Sequence, residues 1–188
     1  MPEGFGKGTV QQPVVNIESA DAYAEFVVGH DAAVCTLGVG QPSQMTKAQF
    51  VHIDKGVVIA FAKICKQSGV PHFELLGAVG AEAKSRAFYL RVKGELEETL
   101  VALNFERLSL FQPSMILTPT NQYGIQQALM LAFWPGLSRV LIGPTRKYRS
   151  IRIEALRAAM ASNLATAGQG VETLHWDQFT ALAEASGG

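Results

Sequence analysis

The stretch HFELLGAVGAEAKSRAFYLRVKGELE, residues 72–97, decides the fold. Phe73 to Ala78 read as a strand that ends at small residues. Ala87 to Leu103 read as a helix, with Glu95, Glu97 and Glu98 assigned to its wet side. A strand followed by a loop and a helix is the building unit of a parallel sheet.

The pattern continues on both sides of this stretch. Upstream, Ala32 to Leu37 form a nearly continuous apolar run that stops at Gly38, which suits a strand buried on both faces. The helix between these two strands has the clearest signals in the chain. Thr46 with Gln49 makes a capping box, in which each residue's side chain satisfies the other's backbone N–H. Phe50, Ile53, Val57, Phe61, Ile64 and Cys65 recur at helical spacing, and Gly69 and Pro71 supply the stop. Further upstream, Val14 to Ile17 read as a short strand. A short helix capped by Ser19 follows, with Asp21 in its first turn, Ala22, Phe26 and Val27 as its apolar stripe, and Gly29 as its end.

Downstream, Phe105 to Gln112 read as a strand stopped by Pro113. Helices are expected over Ile125 to Phe133 and Ile153 to Thr166. Val171 to Trp176 are expected as a last strand, and Asp177 as the cap of a short final helix. The whole reads as an α/β chain, a mainly parallel sheet with helices on both faces. One domain is expected over 1–188, with 1–12 a leader and 185–188 a frayed tail.

Composition narrows the function classes. The chain has 188 residues, of which 48% are hydrophobic and 17% charged. That charge content is below the roughly 25% usual for soluble domains, which excludes intrinsic disorder. Sixteen basic residues balance sixteen acidic ones, so no global charge draws the chain to nucleic acid. Cys35 and Cys65 sit in apolar stretches without a CxxC, against a disulfide scaffold or a cysteine-built metal site. The four histidines have no metal-ligand spacing, and no metal is expected. Leu108 to Ser138 lack charge but are broken by Pro113, Pro119 and Pro135, so no membrane span is expected. The N-terminus has no apolar signal core, and a cytoplasmic location with reduced thiols is the expectation.

In open α/β sheets ligands bind at the carboxyl ends of the strands. The places to inspect are therefore Leu37 to Gln41, Gly77 to Ala81 and Pro113 to Thr120. Gly38 and Gly40 would let a ligand approach the backbone, or are ordinary loop glycines. Tyr89 and Lys93 stand four apart and share one helix face. A lysine in that position can lower the pKa of the tyrosine, making it a usable acid–base group near neutrality. The basic stretch Arg146, Lys147, Arg149 and Arg152 reads as a solvated loop, with a phosphate-bearing ligand or an acidic partner as the functional alternative. Met130, Phe133 and Trp134 are read as core or contact residues, or as an apolar lid. Asp54 is read as a surface salt-bridge residue without a role.

Residues 72–97, taken with GHDAAVCTLG (29–38) and FERLSLFQPSMIL (105–117), resemble the atypical short-chain dehydrogenase/reductase family, nearest to its Tat-interacting-protein type. The likeness runs from about Val14 to Leu117. It implies a Rossmann-like fold, NADP as cofactor, and hydride transfer to or from a carbonyl or alcohol. By resemblance, Tyr89 is the catalytic acid, and Lys93 binds the nicotinamide ribose and tunes that tyrosine. Leu37 and Gly38 lie beside the adenosine ribose, and Ile116 is a backbone contact near the nicotinamide. A small carbonyl substrate or a protein partner is implied, and a homodimer is a further expectation.

Two departures from the family stand out. A serine usually ends the strand that here reads Leu75-Leu76-Gly77-Ala78, and neither Gly77 nor Ala78 carries a hydroxyl. The family's opening Gly-rich strand–turn–helix and its second strand have no counterpart here, so the fold is expected to be N-terminally truncated and dinucleotide binding weak or absent. The alternative function is a non-catalytic binding or regulatory module derived from the family. Such a truncation would leave the strand at Ala32 to Leu37 without a neighbour. Val14 to Ile17, or a second chain, is expected to pair there.

Overall fold

The computed structural model describes residues 12–19, 22–39, 45–118 and 140–185. Four parallel strands form the main sheet in the order β1-β2-β3-β6. They are β1 (Ala32–Cys35), β2 (His72–Leu76), β3 (Arg107–Phe111) and β6 (Gly170–Leu174). The register sets Ala32 against His72, His72 against Arg107 and Arg107 against Gly170. Two residues each of β4 (Ile116–Leu117) and β5 (Ile151–Arg152) form a second small parallel sheet that the sequence pattern did not reveal.

The crossover from β1 to β2 carries α1 (Lys47–Val51), a π-helical turn (His52–Val57) and α2 (Val58–Gln67). The expected capping box is present, with Gln49 N–H donating to Thr46 Oγ1 at 3.2 Å and Thr46 N–H to Gln49 Oε1 at 3.0 Å. Gly69 ends the crossover at φ +81°, a left-handed position that favours glycine. The crossover from β2 to β3 is α3 (Phe88–Ala102). Past β5, α4 (Ile153–Ala165) precedes β6, and α5 (Trp176–Ala185) follows it.

Side-chain alternation divides the strands between the two faces. Phe73, Leu75, Leu108 and Leu110 pack with Val58, Ala62 and Cys65 of α2 and Leu96 and Leu100 of α3. On the other face Phe111 and Leu174 pack with Leu156 and Ala159 of α4 and Phe179 of α5. Helices therefore cover both faces, as expected. The same-face residues nearer the strand starts are polar; Glu74, Arg107 and Ser109 are buried and Glu172 is half-buried, and they hydrogen-bond to one another or through Asn163. Arg107 donates to Glu172 Oε1 at 2.7 Å and to Asn163 Oδ1 of α4 at 2.6 Å. Asn163 donates to Glu74 Oε1 at 2.7 Å, and Ser109 donates to Glu172 at 2.6 Å.

Several expectations are corrected. Val14 to Ile17 form no strand and do not pair with β1: Val14 is fully exposed, while Val15 packs against the core. β1 pairs with β2 alone among the described residues. Among the described residues the helix expected from Ser19 is 3-10 in character, with the turn Ala24–Phe26 between its buried neighbours Tyr23 and Val27. Asp177 lies in the first turn of α5 instead of capping it, and Trp176 belongs to that helix instead of the strand. The basic stretch forms a 3-10 turn over Gly143–Tyr148. Its Arg146 pairs with Asp177 at 2.7 Å, and Arg146 and Arg149 both lie over the Trp176 ring. Asp21, Gly40, Gln41, Thr120, the helix expected at Ile125 to Phe133, Met130 and Trp134 lie outside the described residues.

Candidate functional site

The site is built on α3, where Tyr89, Lys93 and Glu97 follow one another at four-residue spacing. Lys93 and Glu97 fall within the apolar stripe of Val92, Leu96 and Leu100 and are buried with it. Tyr89 sits at the stripe's rim, 37% exposed, its ring 5.7 Å from that of Phe50.

Lys93 is only 4% exposed, and its Nζ lies 2.5 Å from Oδ1 of Asp54, itself 1% exposed. This corrects the reading of Asp54 as a surface residue. Asp54 lies in the π-helical turn and is buried there with Val57. The other carboxylate oxygen, Oδ2, accepts the backbone N–H of Val39 at 2.8 Å. Asp54 thus ties the loop after β1 to the lysine of α3. In that loop a Cβ on Gly38 would stand 3.5 Å from Asp54 Oδ1 and 3.7 Å from Lys93 Nζ. Leu37 and Gly38 also line a cleft of about 410 Å³ with Cys35, Val57 and Phe61.

The expectation that Lys93 lowers the Tyr89 pKa is corrected as well. The phenol is raised above its usual value, first by burial and then by the negative charge of Asp54. The lysine stands over the ring, 5.9 Å from its centroid, with its charge matched by Asp54.

Glu97 overturns its assignment to the wet side of the helix. Its carboxyl is pushed up to about 7, chiefly by burial, while Gln112 and Lys93 pull the other way. Gln112 Nε2, just past β3, donates to Glu97 Oε2 at 2.8 Å. Oε1 is buried without a hydrogen-bond partner and faces Gly77. A Cβ on Gly77 would lie 2.7 Å from that oxygen, so Glu97 occupies the room that a larger residue at this strand end would need. Of the other two glutamates, Glu98 is exposed and Glu95 pairs with Lys55 at 2.7 Å.

Gly94 lets the loop after β2 cross α3 beside Lys93. A Cβ there would lie 2.2 Å from Ala83 N, and the Glu82 N–H donates to Leu90 O at 3.1 Å. Ile116 lies elsewhere, in β4, paired with Ile151 and packed against the Phe111 and Leu156 cluster. Tyr89, Lys93, Leu37 and Gly38 are thus brought near one strand end, while Ile116 is held in the second sheet. Cys35 and Cys65 are free and buried; burial pushes the Cys65 thiol up to about 12. Among the described residues no cluster of three ligating side chains could hold a metal, and no helix is long and apolar enough to cross a membrane.

No family model matches the chain. It is 32% identical to Protein HTATIP2 of Rattus norvegicus over 86% of this chain and 64% of that protein. It is 35% identical to the mitochondrial protein FMP52-1 of Scheffersomyces stipitis over 59% of this chain and 46% of that protein. The chain therefore spans less than two-thirds of the length of these relatives. Among solved structures, MoeE5 in complex with UDP-glucose and NAD superimposes with a TM-score of 0.66 at 10% identity, covering 97% of this chain and 71% of that one. RMD from Pseudomonas aeruginosa complexed with NADPH gives 0.63 at 12% identity, covering 87% and 66%. These neighbours have the Rossmann-like fold. The mitochondrial names of the yeast relatives overturn the cytoplasmic expectation.

Proposed function

The chain is a homologue of Protein HTATIP2 within the short-chain dehydrogenase/reductase-like oxidoreductases, and from that premise we propose that it transfers hydride between NADP(H) and a small carbonyl or alcohol substrate. The observation that carries this reading is the meeting of Tyr89, the buried Lys93 and the glycine loop Leu37–Gly38 at the carboxyl end of β1. The fold places ligands at such strand ends. The narrow space at Gly38, with a lysine ammonium behind it, suits the hydroxyls of a ribose, and these residues would hold the dinucleotide. When bound, the dinucleotide supplies or accepts the hydride at the substrate carbon.

The remaining steps belong to the chain's own residues. Tyr89 stays protonated because burial and Asp54 hold its pKa up, so it acts as the donor of a proton to the carbonyl oxygen. In the reverse direction the phenolate accepts the alcohol proton. Lys93 gives the site a fixed positive charge near the tyrosine, and Asp54 orients it. Gly77 and Ala78 offer no hydroxyl to orient the substrate, so Tyr89 bears that task alone on this strand end.

A second reading, a non-catalytic binding or regulatory module, is favoured by that same strand end, where Glu97 fills the space beside Gly77. Following NADPH fluorescence during titration separates the two. Saturable binding at micromolar levels supports the oxidoreductase, and none supports the module. Where binding is present, Tyr89→Phe should abolish turnover and leave binding largely intact; unchanged turnover would remove Tyr89 from the mechanism. The names of the yeast relatives favour a mitochondrial location, which fractionation of tagged protein checks.

A further inference from the structure

Tyr23, next to the 3-10 turn Ala24–Phe26, is only 5% exposed, and its hydroxyl is buried without a hydrogen-bond partner. Buried hydroxyls are nearly always satisfied, so this one needs a physical reason. Phenylalanine would put the same ring 5.9 Å from that of Phe61 and would leave no orphaned donor. The Tyr23 side chain lines a cavity of about 260 Å³. The rest of the wall is apolar, with Val15, Ile17, Phe26 and Phe61 prominent in it and His30 the one other polar side chain. The wall also takes in Ala33 near the start of β1 and Val70 just before β2. The cavity therefore lies toward the amino ends of the strands, whereas Tyr89, Lys93 and Gly38 gather at the carboxyl end. It shares Ile17 and Phe61 with the cleft beside Gly38, and neither Tyr89 nor Lys93 lines it.

We propose that this cavity is a second binding site, for a neutral apolar molecule whose single oxygen accepts the Tyr23 hydroxyl. Water is a poor occupant. A buried water makes about three hydrogen bonds, and this wall offers one buried hydroxyl. The other polar side chain, His30, is exposed and has its Nδ1 3.3 Å from the Val28 carbonyl oxygen. A charged ligand is a poor occupant as well. No lysine, arginine or carboxylate lines the cavity, and a charge buried without a partner is costly. Burial holds the Tyr23 phenol above its ordinary pKa, so the group is a donor at neutral pH. At about 30 Å³ for each water-sized group, the cavity takes about nine of them, a chain of about eight carbons with one oxygen. A medium-chain alcohol or ketone is the class that meets these conditions. The inference does not rest on the oxidoreductase reading, which concerns the other end of the strands.

The test is a titration of the full chain with 1-octanol, followed in 1H–15N spectra. The amides of Tyr23, Val27, Ala33 and Val70 should shift and saturate with a dissociation constant below about 1 mM, while those of Gly38 and Lys93 stay in place. Shifts centred on Gly38, Tyr89 and Lys93 instead would put the alcohol in the proposed active site and overturn the second site. An absence of saturable shifts overturns it too, including the case in which another part of the chain fills the cavity. Tyr23→Phe should weaken octanol binding about threefold to tenfold and leave the unliganded chain no less stable in urea. Equal affinity in the two proteins would remove the hydroxyl from the site. Octanoate, the same chain with a charged head, should bind at least about tenfold more weakly than octanol. Octanoate binding as tightly as the alcohol would overturn the neutral class of ligand. None of these readouts needs NADPH or turnover.

Discussion

Replacing Glu97 by glutamine tests the reasoning about the site in energetic terms. The carboxyl is 8% exposed, accepts one hydrogen bond from Gln112, and has its second oxygen buried without a partner. Burial holds its pKa near about 7, against 4.5 for a free glutamate. The folded chain therefore holds this proton more tightly than the unfolded chain does. The stabilisation is fully present below pH 4.5 and is lost as pH rises to about 7, with little further change above. A separation of about 2.5 pH units, at about 1.4 kcal/mol each, puts the loss on the order of 3 kcal/mol. Relaxation of the site makes this an upper bound. Glutamine has the same shape, can still accept from Gln112, and does not ionise. Urea unfolding of both proteins between about pH 5 and about pH 8 should show the glutamine variant gaining on the wild type as pH rises, by up to about 3 kcal/mol. Glu74, also near about 7, contributes a loss of the same sign, and His72, lowered to about 4, one of opposite sign. Both are common to the two proteins and cancel in the difference to the extent that they do not couple to Glu97. A stability difference that stays level across this range would refute the buried-carboxyl account.

Two further outcomes follow from packing. Gly94→Ala should destabilise the chain by about 1–3 kcal/mol, because a Cβ there runs into the backbone of Glu82 and Ala83. Gly56→Ala, whose Cβ meets nothing closer than His52 Nδ1 at 3.7 Å, should be neutral or stabilising. Equal losses in denaturant midpoint would show that the loop does not press on α3 as described. Arg107→Met should cost about 3–5 kcal/mol, since it leaves Glu172 and the carbonyls of Asn163 and Thr166 without their buried cation. A thermal scan that finds the variant within a degree or two of wild type would remove the network from the account of stability.

The main sheet was legible because its strands announce themselves twice, by apolar residues and by stops. β2 and β3 begin and end within two residues of their expected limits, and the Thr46–Gln49 capping box marks the start of its helix. Val14 to Ile17 failed as a strand for a physical reason. Four residues of β-favouring composition form a strand only where a neighbour accepts their hydrogen bonds, and pairing is a property of the whole sheet. The small β4–β5 sheet joins residues 35 positions apart and is two residues deep, too short for any periodicity to mark.

At the site, the spacing of Tyr89 and Lys93 was readable, but the electrostatics were not, because the charge that governs them is 39 positions away in sequence. A signal for Asp54 was nevertheless present. Counting from Phe50 in steps of three and four reaches 54, 57, 58 and 61, so an aspartate stood in the middle of an apolar stripe. Lys93 and Glu97 hold the same kind of place, between Val92, Leu96 and Leu100. A surface residue has no reason to fall on such a stripe. A charge that does so must be neutralised, hydrogen-bonded or paired inside, since burying it alone is costly. Two opposite charges so placed on helices packed on the same sheet face invite each other as partners. Spacing alone leaves the choice of partner open, because Glu97, four residues on from Lys93 on the same helix, is also placed to face it. The tertiary arrangement makes that choice: Asp54 reaches Lys93 Nζ with one oxygen and the Val39 N–H with the other.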